Sequence, residues 1–363
     1  MALETVNSTD LQNLINAKGL KWRAGNTSVS SLSESEKRIR LGAVPPGPLP
    51  RAGVSGGRRA GANYPAMMDW RNVNGVNYIT PVEDQGGCGS CVAFSVTATF
   101  EAMFQISRGN PQPPIDLSEA QLFYCGGAAA GANCETGWWP DPALAYCQNT
   151  GLTDAGCFPY TGNDQACVLC GDFANRVRTI SASHILTSTD DMKTWLSTNG
   201  PLSTCFAVYN DFFSYVSGVY THVTGDLAGG HCISVVGYDD TQGCWICKNS
   251  WNTGWGESGF FQIAYGQGQY PDGTGGIDSQ MWAIDGVAAT GWENNAQVLG
   301  LWTIDQDVNA WAYFDSGIGW RKISPDNTNI FFDMLTQLAA AKAAARAVNF
   351  YHNQGVVQQL YVL

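Results

Sequence analysis

The sequence has no long uninterrupted apolar run, and no segment approaches the roughly 18 residues of a membrane-spanning helix. Its first 20 residues contain Asp10, Lys18 and several amides, where a signal peptide would have an apolar core. We therefore expect no membrane insertion, and we expect that any export signal has been removed or lies outside this sequence.

Charged residues are scarce as well, at 14% of 363 residues, and the basic ones are outnumbered. The chain has 19 Lys and Arg against 31 Asp and Glu, which gives a net charge of −12. Nucleic acids and anionic membrane surfaces repel such a chain, so we expect neither as a partner and no basic groove. The 44% hydrophobic content and the 42 glycines are typical of a compact, loop-rich globular protein.

Cysteine is frequent for a cytosolic enzyme, although its 12 residues are too few for a small disulfide scaffold. We therefore predict an oxidising compartment, so that the protein is secreted or otherwise extracytoplasmic. Seven cysteines besides Cys91 lie between residues 88 and 170, and bridges among them would staple the first half of the chain. Spacing alone leaves their connectivity open.

Composition divides the chain into three parts, of which the first is residues 1–63. This part contains two predicted helices, at 9–17 and 32–41, and a linker rich in Gly, Pro and Arg over 42–63. We expect it to be a small N-terminal appendage to the domain that follows.

The central part, residues 64–287, begins at YPAMMDWR, contains a long predicted helix after the segment QGGCGSC and continues from about Ile180 as strands between Gly-rich turns. A helical half followed by a β-rich half predicts an α+β protein with two lobes. Residues 288–363 contain three predicted strands, a helix over 330–349 and a final strand, which together predict a small C-terminal α+β extension.

Cys91 lies at the predicted start of the long helix, where the helix dipole and free N–H groups favour the nucleophilic thiolate. His231, in a Gly-Gly-His sequence before an apolar strand, is the candidate base. Asn249 could accept the second imidazole N–H while Trp251 shields this bond from water. Gln85 could present its side-chain amide to a developing oxyanion, beside the N–H of Cys91.

Four sequence blocks resemble the papain family of cysteine peptidases, in the order of that family and across roughly residues 64 to 287. They are PVEDQGGCGSCVAFS, LSEAQLFYC, GGHCISVVGYD and KNSWNTGWGESGFFQIAYG. The resemblance implies a papain-like two-lobed fold, with a helical left lobe and a β-barrel-like right lobe on either side of a cleft. It also implies hydrolysis of peptide bonds through a thioester intermediate, protein or peptide substrates, and no metal or cofactor.

Carried over by position, the resemblance implies that Gln85 contributes to the oxyanion hole, that Cys91 attacks the substrate and that His231 transfers the proton. Asn249 would orient His231, and Trp251 would cover the bond between them. The implied substrate-binding residues are Gly137, Trp138, Trp139, Gly229, Gly230, Trp251 and Met281.

The resemblance further implies two disulfides, one joining Cys88 to Cys134 and one joining Cys125 to Cys167 or a neighbour. The chain departs from the family at Val92, where an aromatic residue is usual, and at CETG, where CxGG is usual. We therefore expect a reshaped groove wall beside an intact triad.

Two other functions remain open at this point. A catalytically silent papain-like binding or storage protein would share the four blocks, although the complete triad argues against it. Cys88 and Cys91 form a C-x-x-C at a helix start, as in thiol oxidoreductases, but no thioredoxin-like pattern surrounds them. Cys244 and Cys247, three residues apart on a predicted strand, would point to opposite faces and suit one zinc ion poorly.

Two hypotheses concern the ends of the chain. Residues 1–63 lack the long helical pattern of typical papain-family prosegments and resemble a short one, which we expect to cover the groove until it is cut. The exposed linker offers Arg51, Arg58 and Arg59 as cleavage sites. Four aromatic residues of the C-terminal strands either pack in a core or bind a sugar or partner surface: Trp302, Trp311, Tyr313 and Trp320.

Overall fold

The computed structural model describes residues 7–51, 63–289, 291–315, 318–353 and 356–363, and it confirms an α+β fold. The helices are α1 (Ser8–Ala17), α2 (Glu34–Arg38), α3 (Cys91–Arg108), α4 (Glu119–Gln121), α5 (Pro140–Asn149), α6 (Thr189–Thr198) and α7 (Thr328–Ala343). The strands are β1 (Arg23–Ala24), β2 (Met67–Asp69), β3 (Arg178–Ile180), β4 (Ser183–Leu186), β5 (Leu202–Tyr209), β6 (Tyr215–Ser217), β7 (Val219–Tyr220), β8 (Leu227–Asp239), β9 (Cys244–Lys248), β10 (Phe260–Ala264), β11 (Met281–Ile284), β12 (Val287–Ala289), β13 (Gly291–Thr303), β14 (Ala310–Phe314), β15 (Gly319–Ile323), β16 (Ala347–Asn353) and β17 (Val356–Val362).

The helical lobe is built around α3, which is buried along most of its length and packs against β8 of the other lobe. No acidic residue lies in its first turn, so the positive end of the helix dipole is left unopposed near Cys91. Gly109 ends the helix in the left-handed conformation, at φ 63°. The start of α3 therefore lies at the boundary between the two lobes.

The right lobe is a sheet with the strand order β4-β11-β5-β8-β9-β10-β7, and β2 pairs with β8. His231 lies on β8, and Asn249 directly follows β9. Because β8 and β9 are antiparallel neighbours, their pairing brings these two side chains together. The aromatic core behind them includes Phe206, Phe212, Trp251, Trp255 and Phe261.

Within the described residues, three disulfides lie in the helical half of the chain, and two of them are the pairs that the resemblance implies. They are Cys88–Cys134, Cys125–Cys167 and Cys157–Cys170. Because Cys88 is bonded to Cys134, Cys88 and Cys91 do not form a redox pair. Cys244 and Cys247 of β9 are both buried free thiols.

The N-terminal segment, residues 7–51, packs on the right lobe before it enters the cleft. Helix α1 buries Leu11 and Ile15, and strand β1 pairs with β6. Ser33 caps α2 through a capping box with Glu36.

The predicted linker over 42–63 is wrong at its start. Leu41 and Ala43 are buried, and residues 42–44 are hydrogen-bonded inside the cleft. Gly42 lies so close to the main chain of Gly89 that a Cβ atom at this position would collide with it, so only glycine fits. Residues 52–62, which include Arg58 and Arg59, lie outside the described residues.

The C-terminal extension contains a closed barrel with the strand order β13-β14-β15-β17-β16. Strands β15 and β17 are parallel, the other neighbours are antiparallel, and α7 connects β15 to β16. This connectivity is that of an OB fold, a five-stranded Greek-key barrel. Its core includes Ala296, Val298, Ala312, Phe314, Ile323, Leu338, Val348 and Phe350.

The predicted helix over 330–349 is wrong in its last third. Helix α7 ends at Ala343, Ala345 adopts φ 51°, and the chain continues as strand β16. Val348 and Phe350 are both buried at a spacing of two, which is the period of a strand with one face in the core. Closure of the barrel overrides the high helix propensity of the preceding alanines.

A buried polar network joins α3 to the end of β9. Lys248 Nζ donates to Thr80 Oγ1 at 2.9 Å, and Thr80 Oγ1 donates to Glu101 Oε2 at 2.6 Å. The main-chain N–H of Leu117 donates to the other oxygen of Glu101 at 2.8 Å. Burial raises the pKa of Glu101 to about 7, although Lys248, Thr80 and Leu117 all oppose this rise. The network therefore holds β9 against α3, one residue before Asn249.

This raised pKa predicts a stability that falls with pH. The folded chain holds the Glu101 proton above pH 4.5, where the unfolded chain releases it, so stability is lost as the pH rises towards 7. Each pKa unit corresponds to about 1.4 kcal/mol. We expect the urea midpoint of a Cys91→Ala chain to fall between pH 4.5 and 7.5, and to fall less in Glu101→Gln. Glu135→Gln, on an exposed loop, is the matched control, and equal slopes in all three chains would contradict the prediction.

Candidate active site

Cys91 is the first residue of α3 and is completely buried. Burial, with a smaller contribution from the neighbouring Cys232, raises the pKa of its thiol to about 12, whereas nearby main-chain groups, including that of Gly42, lower it. In this form of the chain the thiol is therefore protonated at neutral pH. The start of a helix would favour the thiolate, but only where water or a counter-charge reaches it.

His231 is held from one side by Asn249. The Nε2 atom of His231 lies 2.7 Å from Asn249 Oδ1, which also accepts the N–H of Ser250 at 2.8 Å. Because this oxygen can only accept, Nε2 carries the proton and Nδ1 remains the basic nitrogen. The Trp251 ring lies 4.7 Å from the imidazole and covers it.

The pKa of His231 is lowered to about 4, chiefly because the ring is buried. The bond to Asn249 and the Arg40 carbonyl partly oppose this effect. At neutral pH the imidazole is therefore neutral, as is the thiol of Cys91. Neither group carries a charge while the N-terminal segment lies in the cleft.

Gln85 is oriented by three hydrogen bonds. Ser250 Oγ donates to Gln85 Oε1 at 2.7 Å, and Gln85 Nε2 donates to the carbonyls of Cys88 at 2.8 Å and Arg40 at 2.9 Å. The Arg40 carbonyl is a peptide oxygen that comes from the N-terminal segment. The side-chain amide is thus aimed at a carbonyl in the cleft, as an oxyanion-hole donor must be.

The N-terminal segment pairs with both walls of the cleft through its main chain. The N–H of Trp138 donates to the Gly42 carbonyl at 2.8 Å, and the N–H of Val44 donates to the Trp138 carbonyl at 3.0 Å. On the other side, the N–H of Ala43 donates to the Gly230 carbonyl at 3.0 Å. Both contacts have parallel strand geometry.

The other proposed substrate-binding residues lie along this path, with one exception. Gly137 has φ 66° and leaves room for Gly42, and Gly229 leaves room for the Leu41 side chain. The side chain of Met281 is instead buried in the right-lobe core. The next residue, Trp282, packs with its ring 5.5 Å from that of Trp139, in the buried cluster that also contains Cys91 and Ala43.

Sequence reasoning missed Cys205 and Cys232, which lie in one buried cluster with Cys91 and Ala43. They are opposite each other on β5 and β8. The alternation of strand residues was the available signal, because Cys232 must point to the opposite face of β8 from His231. The pairing of β5 with β8 could not be read from the sequence.

The fold and the site are those of a cysteine peptidase of the two-lobed class, in which a helix N-terminus carries the cysteine and the sheet packed against that helix carries the histidine and the asparagine. Residues 64–284 match the family described as Papain family cysteine protease, and the chain belongs to that family. It is a hydrolase that is made as a zymogen.

Known relatives agree with this assignment. The chain is 34% identical over 266 residues to "Thiol protease aleurain" of Arabidopsis thaliana, which covers 71% of this chain and 72% of the relative. It is 35% identical over 273 residues to "Oryzain gamma chain" of Oryza sativa subsp. japonica, covering 73% and 72% respectively. Among the described residues, no helix has the length and apolar character to cross a bilayer.

Solved structures of zymogens resemble the fold. The proCathepsin B S9 of Trypanosoma congolense has a TM-score of 0.62 and 25% identity, covering 77% of this chain and 98% of that one. The digestive procathepsin L 3 of Tenebrio molitor has a TM-score of 0.61 and 26% identity, covering 77% and 88%.

Because the Cys91 thiol is protonated at neutral pH, we predict that it reacts slowly in the uncut chain. We expect iodoacetamide at pH 7 to label Cys91 at least about 100-fold faster after residues 1–62 are removed, because the thiolate then forms. Peptide mapping by mass spectrometry would measure the labelling. Cys147 is the internal control, since it is a buried free thiol and should stay unlabelled in both forms. Equal labelling of Cys91 before and after cutting would refute the prediction.

Proposed function

We propose that Cys91 is the nucleophile, His231 the general base and acid, Asn249 the residue that orients His231, and Gln85 an oxyanion-hole donor. The observation that carries this assignment is the 2.7 Å contact between His231 Nε2 and Asn249 Oδ1. It leaves Nδ1 as the nitrogen that can exchange a proton with the thiol.

The reaction then follows from these positions. His231 takes the proton of Cys91, and the thiolate attacks the substrate carbonyl carbon to form a tetrahedral oxyanion that accepts from Gln85 Nε2. His231 gives its proton to the leaving amine, and a thioester remains. Water, deprotonated by His231, attacks the thioester and returns the thiol.

The position of Arg40 supports the role of Gln85. A peptide carbonyl in the cleft already accepts from Nε2 at 2.9 Å, within the range for a donor that stabilises an oxyanion. Protein or peptide substrates would extend along Gly137, Trp138, Trp139, Gly229 and Gly230 in place of the segment.

Loss of one oxyanion-hole donor gives the test of this assignment. We expect Gln85→Ala to lower the kcat of the activated enzyme about 10²- to 10³-fold on a fluorogenic peptide, with a smaller change in KM. Gln148→Ala, at an exposed glutamine on α5, is the matched control. A Gln85→Ala enzyme with unchanged kcat would remove Gln85 from the mechanism.

We further propose that the N-terminal segment is the inhibitor of the zymogen and that cutting after it releases the enzyme. Support comes from its occupation of the cleft and from its anchor, Trp22, whose side chain is 1% exposed. The ring of Trp22 lies 5.1 Å from Tyr220 and 6.2 Å from Tyr215. Residues 52–62 contain two arginines, which suits cleavage there.

The anchor can be tested in the uncut chain. Truncation of a buried aromatic side chain costs about 3–5 kcal/mol, so Trp22→Ala should release the segment and accelerate both Cys91 labelling and the appearance of peptidase activity. Leu14→Ala is the matched control, because Leu14 lies on α1 but is 42% exposed. If Trp22→Ala stays as inactive and unlabelled as the parent, the segment is not held by this anchor.

The compartment and the division of the chain are also proposals. Three disulfides suit an oxidising environment, so we place the enzyme outside the cytoplasm, secreted or in an equivalent compartment. Residues 64–287 are proposed as the peptidase domain and residues 288–363 as an accessory module, since the family match ends at residue 284.

A further inference from the structure

The C-terminal barrel displays aromatic side chains on the outside of its first three strands. Along β14, Ala310, Ala312 and Phe314 point into the core, so Trp311 and Tyr313 point outwards. Opposite Trp311 lie Trp302 on β13 and Lys322 on β15, and opposite Tyr313 lies Trp320 on β15. We call the surface formed by Trp302, Trp311, Tyr313, Trp320 and Lys322 the aromatic face.

Core packing does not account for this face. Trp302 is 49% exposed, Trp320 is 50% exposed and Tyr313 is 39% exposed, while other side chains, including Phe314, Phe331 and Phe350, fill the barrel. The rings do touch across strands, with centroids 4.8 Å apart for Trp302 and Trp311, and 5.2 Å for Tyr313 and Trp320. Such pairs stabilise a sheet, but they do not require Trp302, Tyr313 and Trp320 to keep 39–50% of their surface in water.

The position of the face in the fold suggests a ligand. OB folds bind oligonucleotides and oligosaccharides on the face of their second and third strands. In this barrel those strands are β14 and β15, which carry Trp311, Tyr313, Trp320 and Lys322. The exposed rings therefore lie where this topology has its binding surface.

Charge decides between the two ligand classes. Single-stranded nucleic acid is held by a positively charged groove as well as by stacking. Residues 291–363 contain six acidic and four basic residues, within a chain of net charge −12. On the aromatic face Lys322 is the one cation, and its Nζ lies 5.5 Å from the centre of the Trp311 ring. The aromatic face therefore offers too little positive charge to neutralise the phosphates of a nucleic acid.

The area of the face argues against a large protein partner. An aromatic side chain buries about 150–250 Å², so four rings that are at most half exposed offer no more than roughly 300–500 Å². A stable protein interface needs about 800 Å² from each partner. An area of this size instead matches a ligand of a few rings, which would stack on the flat indoles and phenol.

We infer that the aromatic face binds a neutral oligosaccharide and that it is a second, non-catalytic site of this enzyme. The apolar faces of pyranose rings stack on Trp302, Trp311 and Trp320, and the sugar hydroxyls hydrogen-bond to the Tyr313 hydroxyl and the Lys322 ammonium. The barrel then tethers the peptidase to a glycan-bearing surface or glycoprotein. This site is independent of the catalytic residues.

Binding can be measured with the full chain carrying Cys91→Ala, which prevents self-digestion. Affinity electrophoresis through xylan, laminarin, mannan and soluble starch, and pull-down on cellulose and chitin, supply the neutral glycans, and a fluorescent (dT)30 supplies nucleic acid. Trp302→Thr and Trp320→Thr are the test variants, because threonine suits an exposed strand position. Phe332→Ala is the matched control, since Phe332 is a 55% exposed aromatic residue on α7.

We expect at least one neutral glycan to retain the parent, and each Trp variant to bind it at least tenfold more weakly, about 1.4 kcal/mol. Phe332→Ala should bind like the parent, and (dT)30 should not bind. The proposal is overturned if no glycan retains the parent, if (dT)30 binds more tightly than the glycans, or if folded Trp variants bind unchanged. Thermal unfolding would check the fold of each variant. Should a variant unfold, acrylamide quenching of tryptophan fluorescence in the parent chain provides the test. The retained glycan should protect the fluorescence from quenching, and absence of protection overturns the proposal.

Discussion

Desolvation of one sulfur and one imidazole is the constraint on which this molecule depends. Cys91 lies at the start of a helix and His231 on a central strand, yet burial keeps both neutral, with pKa values of about 12 and about 4. Desolvation opposes the charged form of each group, so a thiolate–imidazolium pair forms only where the attraction between the two charges outweighs that cost. Both groups are therefore uncharged while the segment lies in the cleft.

The residues proposed as catalytic could be singled out from the sequence because each of them lies in a short segment with a recognisable pattern. A cysteine that opens a helix, a histidine before an apolar strand and an asparagine followed by tryptophan each leave a pattern in the sequence. His231 and Asn249 come together because β8 pairs antiparallel with β9. By contrast, Cys205, Cys232 and Trp282 come from strand pairings that have no local pattern.

The predicted linker over 42–63 and the predicted helix over 330–349 are wrong in part, and for the same physical reason. Glycine and proline after Leu41 indicated a linker, and alanines before Ala345 indicated a long helix, because local propensity was the only information available. In the structure, Gly42 is needed for the narrow passage beside Gly89, and Val348 and Phe350 complete a barrel core. In both places tertiary packing overrode the local preference. The residues that pack there, Gly89 in one case and the barrel core in the other, include residues far away in the sequence.

The N-terminal segment occupies the cleft through its main chain, and it fits beside Gly89 because Gly42 has no side chain. The segment binds the two walls of the cleft through main-chain hydrogen bonds to Trp138 and Gly230. Its Arg40 carbonyl accepts a hydrogen bond from Gln85 Nε2. Main-chain bonds of this kind are also available to any extended substrate, so they give the segment no advantage in specificity. Its hold on the enzyme must come from contacts outside the cleft, of which buried Trp22 is the largest. In the proposed activation, the cut and the loss of that anchor leave substrate and segment to compete for the same main-chain bonds.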